Sequence, residues 1–252
     1  MNRPARVTIA LTAALLCGLA SSACSPTKED QVTAAPQQGS GIKDRSGSTR
    51  AQALARPLAE NYALAGEHYD ALNAVFTPLQ KAISSGAWRD SGTESEVAPG
   101  QGFTRGPELE GDGKLEDSTG ADSYYFSVYR TFTPQEPVKE LLERTAEEWR
   151  QNGLQVSSDD PLGSVRYTAT TTDGYTLHLD EGQPGTIALT AYSPVYWGPQ
   201  RELLRSIAAR RDAEDAAKTP GTQFERDPKT KQAILKPGQF RPFPAWDAVP
   251  QS

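Results

Sequence analysis

The feature that most constrains the fold is a series of strand-like segments between residues 123 and 192. The first is rich in aromatic and β-branched residues, and two others alternate in period two around Asp173-Gly174, a hairpin turn signal. Connections this short favour antiparallel pairing over crossovers, so the pattern predicts a largely antiparallel sheet. The predicted strands are Ser123–Phe132, Leu154–Ser157, Val165–Thr171, Tyr175–Asp180 and Gly185–Tyr192.

One helix separates the first two predicted strands. Thr133 is a candidate N-cap, Pro134 suits the first helical position, and Glu136 occupies the capping-box position. The helix ends at Gly153. Its apolar face carries Val138, Leu141, Leu142, Thr145 and Trp149. The order is therefore β-α-β-β-β-β, which predicts an α+β fold with a small, mostly antiparallel sheet packed against helices.

A long N-terminal helix is predicted over residues 51–85, where apolar residues recur every three or four positions. Pro57 suits its first turn, and Pro78 is expected to kink or split it near Phe76. The apolar stripe favours packing on the protein's own core over a coiled coil with a second chain, so a monomer is expected. Another helix, over 201–218, begins amphipathic and becomes wholly polar, so its far end is predicted to be solvated.

The remaining segments complete a one-domain organisation. Residues 51–218 are predicted to form a single α+β domain that contains a flexible acidic, Gly-rich loop over 89–122. Residues 219–252 hold prolines and aromatics, which predicts a tail without regular structure that lies along the domain or a partner. Within the loop, Glu108, Glu110 and Asp112 echo the spacing of calcium ligands. A solvated acidic loop is the favoured interpretation, because the twelfth loop position is Thr119 and no helices flank the segment.

The N-terminus carries an export signal. A basic start is followed by an apolar run over Val7–Ala20, which is too short to span a membrane, and then by small residues and Cys24. We predict a signal peptide over 1–23, a lipid attached to Cys24 and a disordered tether over 24–50. The prediction places the chain on the extracytoplasmic face of the cell membrane. Plain secretion is the alternative, since Ser21 stands where a lipoprotein signal prefers Leu.

Few residues point to chemistry. There is no nucleophile elbow or phosphate-binding motif, and His68 and His178 are the only histidines, so no catalytic residue, metal site or cofactor is predicted. The 26 basic residues are outnumbered by 32 acidic ones, which argues against nucleic acid as a partner. Tyr125 and Tyr129 share one face of the first predicted strand and form a candidate binding surface for a glycan or an envelope protein.

The chain resembles small uncharacterised lipoproteins and exported proteins of high-GC actinobacteria. The resemblance covers about residues 51–197 and also includes the signal that ends at Cys24. Its motifs are Trp149…Gly153, the Asp173-Gly174 hairpin and Ser193-Pro194-Val195 at the end of the last strand. Related sequences often have a cysteine after this Ser-Pro, and this chain does not, so no disulfide carries over. The resemblance implies no particular activity.

These observations predict a membrane-anchored, extracytoplasmic lipoprotein that binds or scaffolds a component of the cell envelope. The alternative is an envelope hydrolase that uses paired carboxylates, which requires two acids at about 5–10 Å across a cleft. A binding module is favoured over an enzyme.

Overall fold

A computed structural model describes residues 41–90, 103–104, 115, 117–160 and 163–248. The helices in this part of the chain are α1 (Arg50–Ala55), α2 (Leu58–Ile83), α3 (Val138–Gln151) and α4 (Gln200–Ala217). The strands are β1 (Trp88–Arg89), β2 (Phe103–Thr104), β3 (Ser123–Phe132), β4 (Gln155–Asp159), β5 (Arg166–Thr170), β6 (Thr176–Gln183), β7 (Thr186–Tyr192), β8 (Tyr196–Trp197) and β9 (Ile234–Leu235).

All these strands belong to one antiparallel sheet with the order β4-β5-β6-β7-β3-β1-β9, and β2 and β8 pair with β3 outside this path. The sequence β3-α3-β4-β5-β6-β7 along the chain has the predicted order, and the α+β fold class is confirmed. Gly174 has a φ of +83° in the β5–β6 turn, which is why the Asp173-Gly174 pair suits this hairpin.

The main core lies between one face of the sheet and the helices. Alternation along β3 directs Tyr124, Phe126 and Val128 into this core, where they pack with residues of α2, α3 and α4. The neighbouring strands contribute buried aliphatic side chains: Leu177 and Leu179 from β6, and Ile187 and Leu189 from β7. The opposite face of the sheet therefore carries the polar members of each alternating strand.

The predicted N-terminal helix is divided into two. Thr49 caps α1, with its hydroxyl accepting from the Gln52 backbone N–H while the Gln52 side chain accepts from the Thr49 N–H. Arg56 is extended because a residue before proline is disfavoured in the helical region, and α2 begins just after Pro57. Most of the apolar stripe is buried on α2. Leu54 of the predicted stripe is exposed, however, and Ala53 is buried in its place.

α2 is not split at Pro78, because the helix continues through this residue to Ile83. A proline removes the hydrogen bond to the carbonyl four residues earlier, which here belongs to Ala74. Pro78 and Ala74 are both exposed, so water can reach that carbonyl. Phe76 and Gln80, on the buried side, keep the helix packed on the sheet on either side of the proline.

Residues 41–49, the last part of the predicted tether, lie against the domain instead of extending away from it. Asp44 is buried, and its carboxylate accepts hydrogen bonds from the Ser46 hydroxyl, the Ser48 N–H and the Trp197 N–H. The indole N–H of Trp197 donates to the carbonyl of Ile42 at 3.2 Å. A buried carboxylate with three donors is held firmly, so the folded domain begins before the predicted position 51.

The C-terminal segment lies along α2 and α4. The hydroxyl of Tyr62 donates to the carbonyl of Pro244 at 2.8 Å, and that of Tyr69 donates to the carbonyl of Arg241 at 2.7 Å. Phe240, Phe243 and Trp246 pack against the main core, so of the two predicted locations the segment lies on its own domain. The segment also supplies the short strand β9, which the sequence pattern did not predict.

The prediction that the far end of α4 is solvated holds for its last turn, Asp215–Ala217, which is exposed, but not for the turns before it. Arg210, Arg211 and Glu214 are all buried beneath the C-terminal segment. The Arg210 guanidinium lies 4.0 Å from the Trp246 ring centroid and donates to the Trp246 carbonyl. These charges can be buried because residues distant in sequence supply their partners.

His68 is packed inside the fold. Its ring stacks on Tyr196 at 3.5 Å between centroids, and its Nδ1 lies 2.9 Å from the Tyr124 hydroxyl. Burial lowers the pKa of His68 from its usual value to about 4, against a smaller opposing effect of Asp44. His68 is therefore neutral at physiological pH and serves the packing between α2 and β3.

Candidate functional site

The outer face of the sheet, away from the helices, carries an aligned set of polar and aromatic side chains. The register places Arg166 opposite Asp180, and His178 opposite both Thr168 and Thr190. Tyr129 of β3 pairs with Thr190 of β7. Because successive strand residues alternate between faces, all these side chains project to the same side of the sheet.

A cleft of about 500 Å³ opens on this face, a volume within the usual range of small-molecule sites. Strands β3, β5, β6 and β7 supply most of its wall, so the side chains are fixed by the register of the sheet. The residues that line the cleft are Tyr129, Ser164, Arg166, His178, Asp180, Glu181, Gly182, Thr190 and Tyr192.

Gly182 shapes one side of the cleft. A Cβ atom at this position would lie 2.9 Å from the Cβ of Ala188 and 3.1 Å from the Tyr129 hydroxyl. The pairing of β6 with β7 is also irregular between Glu181 and Gln183. The absence of a side chain at Gly182 therefore allows the Tyr129 hydroxyl to lie directly against β6.

An ion pair forms part of the wall of the cleft. Nε of Arg166 donates to Oδ2 of Asp180 at 2.9 Å, and this hydrogen bond raises the pKa of Arg166. Asp159 of β4 is opposite Arg166 on its other side. The register therefore places Arg166 between the two aspartates, where a hydrolytic carboxylate pair keeps space for substrate and water.

His178 lies half-buried in the cleft, and its ring meets that of Tyr192 edge-on at 5.2 Å. Burial, with a smaller effect of Arg166, lowers the pKa of His178 below its ordinary value. The ring is thus neutral at pH 7 and offers one donor and one acceptor nitrogen. Its strand neighbours Leu177 and Leu179 point into the main core, so His178 projects to the opposite face, which forms the cleft.

The two tyrosines proposed as a binding surface have different environments. Tyr129 lines the cleft, and burial raises the pKa of its phenol. Tyr125 does not line the cleft: it is buried in a second apolar cluster with Ala53, Leu115, Val195 and Trp197. Its ring lies 6.1 Å from that of Tyr192, so Tyr125 supports Tyr192 from the side.

The sequence pattern did not identify Arg166, Asp180 and Thr190 as candidate site residues. The sequence did contain one signal, the alternation of side chains between the two faces of each strand. These residues occupy polar positions that alternate with Tyr167, Leu179 and Leu189 of the helix-covered face. The alternation identifies the face of the sheet on which each side chain lies. The pairing register of β5, β6 and β7 is also needed to bring the three side chains together.

Several predicted features lie outside the described residues, namely the signal peptide, Cys24 and the calcium candidates Glu108, Glu110 and Asp112. Within the described part of the chain, no group of three or more His, Cys, Asp or Glu side chains is placed to hold a metal ion. No helix among the described residues is both long and apolar enough to cross a membrane.

The fold is an α+β domain with a polar cleft on the face of its sheet away from the helices. No family model matches the chain, and no curated protein matches it either. Among solved structures it is similar to a candidate lipoprotein, LppA, from Mycobacterium tuberculosis, with 16% sequence identity and a TM-score of 0.34. That similarity covers 56% of this chain and 80% of the LppA chain.

Proposed function

We propose that this chain is an extracytoplasmic lipoprotein whose domain binds a small polar ligand in the cleft of the outer sheet face. The observation that supports binding is a set of hydrogen-bonding groups without protein partners. Tyr129, His178, Thr190 and Tyr192 all line the cleft, and none of their side chains hydrogen-bonds another described residue. Thr190 is buried and the other three are half-buried, and polar groups of this kind without protein partners are satisfied by water or by a ligand.

Binding is favoured over hydrolysis by the arrangement of the acids. Asp180 already accepts from Arg166, and Asp159 lies beyond that guanidinium. The register separates the Cα atoms of the two aspartates by two strand spacings, about 10 Å, with the positive charge between them. Arg166 therefore stands where a hydrolytic pair of acids would need room for a substrate and a water molecule.

The anchor proposed at Cys24 is compatible with the position of the folded domain. The domain begins by Ile42, so roughly 17 residues separate it from Cys24, and a fully extended segment of this length spans at most about 60 Å. Residues Ser21–Ala23 before Cys24 provide the small side chains of a lipoprotein signal.

Replacing Cys24 by serine is expected to abolish lipid attachment, since the thiol is the acylated group. In an actinobacterial host, cells fed an alkyne-tagged palmitate should label the wild-type chain in the membrane pellet. The Cys24→Ser variant should be unlabelled and should move to the soluble fraction. Cys17→Ser is the matched control, because Cys17 lies in the apolar run of the signal, and it should behave like the wild type. Continued labelling of Cys24→Ser in the pellet would contradict the anchor.

Ligand binding in the cleft is tested with a library of small polar molecules that contains amino acids, nucleosides, polyamines, carboxylates and saccharides. Amide signals of β5, β6 and β7 in the ¹H–¹⁵N spectrum of the full chain report occupancy. At least one compound should shift the signals of His178, Asp180 and Thr190 with a dissociation constant in the millimolar range or tighter, about −4 kcal/mol. If no compound of any class shifts these signals, the cleft is not a ligand site and the proposed function is wrong.

A further inference from the structure

We infer that the ligand of the outer-face cleft is an uncharged saccharide; this inference rests on the proposed function and adds the chemical class. The juxtaposition that carries it is an Arg166–Asp180 pair beside two tyrosine rings on neighbouring strands. The residues that line the cleft are unsuited to lipids and anions, and they match the ring faces and hydroxyl groups of a sugar.

The lining excludes lipids and anions. None of its nine residues has an aliphatic side chain, so an acyl chain would find little apolar surface beyond the tyrosine rings. Asp180 and Glu181 outnumber Arg166, which is already paired, and Asp159 adds a further acid next to it. A phosphate or carboxylate ligand would therefore meet net negative charge without a free cation to hold it.

The tyrosines fit the C–H faces of a sugar ring. Tyr129 lies on β3 and Tyr192 on β7, with the pairs Tyr129–Thr190 and Ser127–Tyr192 placing them diagonally on adjacent strands. Aromatic faces are electron-rich and attract the weakly positive hydrogens of a pyranose. Tyr192 is held between Tyr125 at 6.1 Å and His178 at 5.2 Å, so its ring is fixed in place before a ligand arrives.

The polar groups fit the hydroxyls. A hydroxyl both donates and accepts, so adjacent hydroxyls are best matched by an acceptor beside a donor. Arg166 uses Nε and Asp180 uses Oδ2 for their mutual hydrogen bond, which leaves the guanidinium Nη groups and Asp180 Oδ1 without a partner among the described residues. Thr190 and neutral His178 add further groups of both kinds along β7 and β6.

The test is a titration of the full chain with maltotriose, mannotriose and the N-acetylglucosamine trimer, beside spermidine and inorganic phosphate, followed by the same amide signals. At least one saccharide should shift the signals of β5, β6 and β7 at concentrations up to about 10 mM, equivalent to a free energy of binding near −3 kcal/mol. Spermidine and phosphate should leave them unchanged.

Variants then assign the binding to the cleft. Tyr129→Ala should weaken saccharide binding by at least about tenfold, while Tyr129→Phe, which retains the ring face, should change it by less than about threefold. Asp180→Asn should also weaken it by at least about tenfold because the charge-assisted acceptor is lost. Asp173→Asn, in the exposed hairpin turn, is the matched control and should bind as the wild type does. Circular dichroism confirms that each variant is folded.

The outcomes separate the two proposals. If spermidine, phosphate or a library compound of another class shifts the cleft signals and no saccharide does, the cleft binds ligands but the saccharide inference is overturned. A saccharide that binds equally to wild type, Tyr129→Ala and Asp180→Asn overturns it as well, because the binding is then elsewhere. If nothing binds the cleft, both proposals fail.

Discussion

Replacing Arg241 by alanine is expected to lower the free energy of unfolding by about 3–5 kcal/mol, the usual cost of removing one partner of a buried ion pair. The Arg241 side chain is fully buried, and its Nη2 contacts Glu214 Oε2 at 3.1 Å and Asp215 Oδ1 at 2.8 Å. It also donates to the backbone carbonyl of Arg211 at 3.2 Å. Without Arg241, the pairing with Arg211 at 3.3 Å is the one ion pair left to the buried carboxylate of Glu214 among the described residues.

Urea unfolding followed by tryptophan fluorescence measures this loss. The matched control is Arg226→Ala, because Arg226 is exposed and donates only to the Lys231 carbonyl among the described residues. That control should change the free energy of unfolding by no more than about 0.5 kcal/mol. A loss below 1 kcal/mol for Arg241→Ala would mean that Glu214 is satisfied without it, and that the C-terminal segment is not part of the folded unit.

The same cluster shows why the sequence pattern did not predict the burial of Arg210, Arg211 and Glu214 in the second half of α4. The stretch from Ala208 to Lys218 contains no large apolar residue, and a polar helix end is normally solvated. Its burial depends on Arg241 and Trp246, which follow in a segment without a helical or strand period of its own. The residue pattern within one helix carries no information about partners so far away in the sequence. The burial of these charges could therefore not be predicted from the local sequence of α4.

The sheet could be predicted because its determinants are local. Aromatic and β-branched residues in β3, period-two alternation in β5 and β6, and the Asp173-Gly174 turn act within a few residues of one another. The same alternation placed Tyr125 and Tyr129 on one shared face of β3. Assembling Tyr129 with Arg166 and Thr190 into a cleft required the register and the position of β3 beside β7, which sequence order does not reveal.

Replacing Phe243 by alanine is expected to lower the free energy of unfolding by about 3 kcal/mol, at the lower end for a large aromatic because the ring is only partly buried. The ring lies 4.9 Å from that of Tyr62, 5.7 Å from Tyr69 and 6.2 Å from Phe126, so it joins the C-terminal segment to both α2 and β3. Phe243→Leu, which keeps much of the apolar volume, should lose about half as much.

A double-mutant cycle with Gly66 tests whether that contact is the cause. A Cβ atom at Gly66 would lie 3.0 Å from the Phe243 ring, which explains a glycine in the interior of α2 despite its helix penalty of about 1 kcal/mol relative to alanine. Gly66→Ala should therefore be neutral or destabilising in the wild type. In the Phe243→Ala background it should stabilise by about 1 kcal/mol, because the methyl group then enters vacated space.

The sign of that change decides between two roles for the C-terminal segment. If Gly66→Ala stabilises the protein equally with and without Phe243, the ring does not press on α2 in solution and the segment is only loosely associated. If Gly66→Ala stabilises the protein only in the Phe243→Ala background, as expected, the segment is part of the core. Its removal would then expose Tyr62 and Tyr69, whose hydroxyls donate to its backbone, and would leave the buried charges of α4 without their partners.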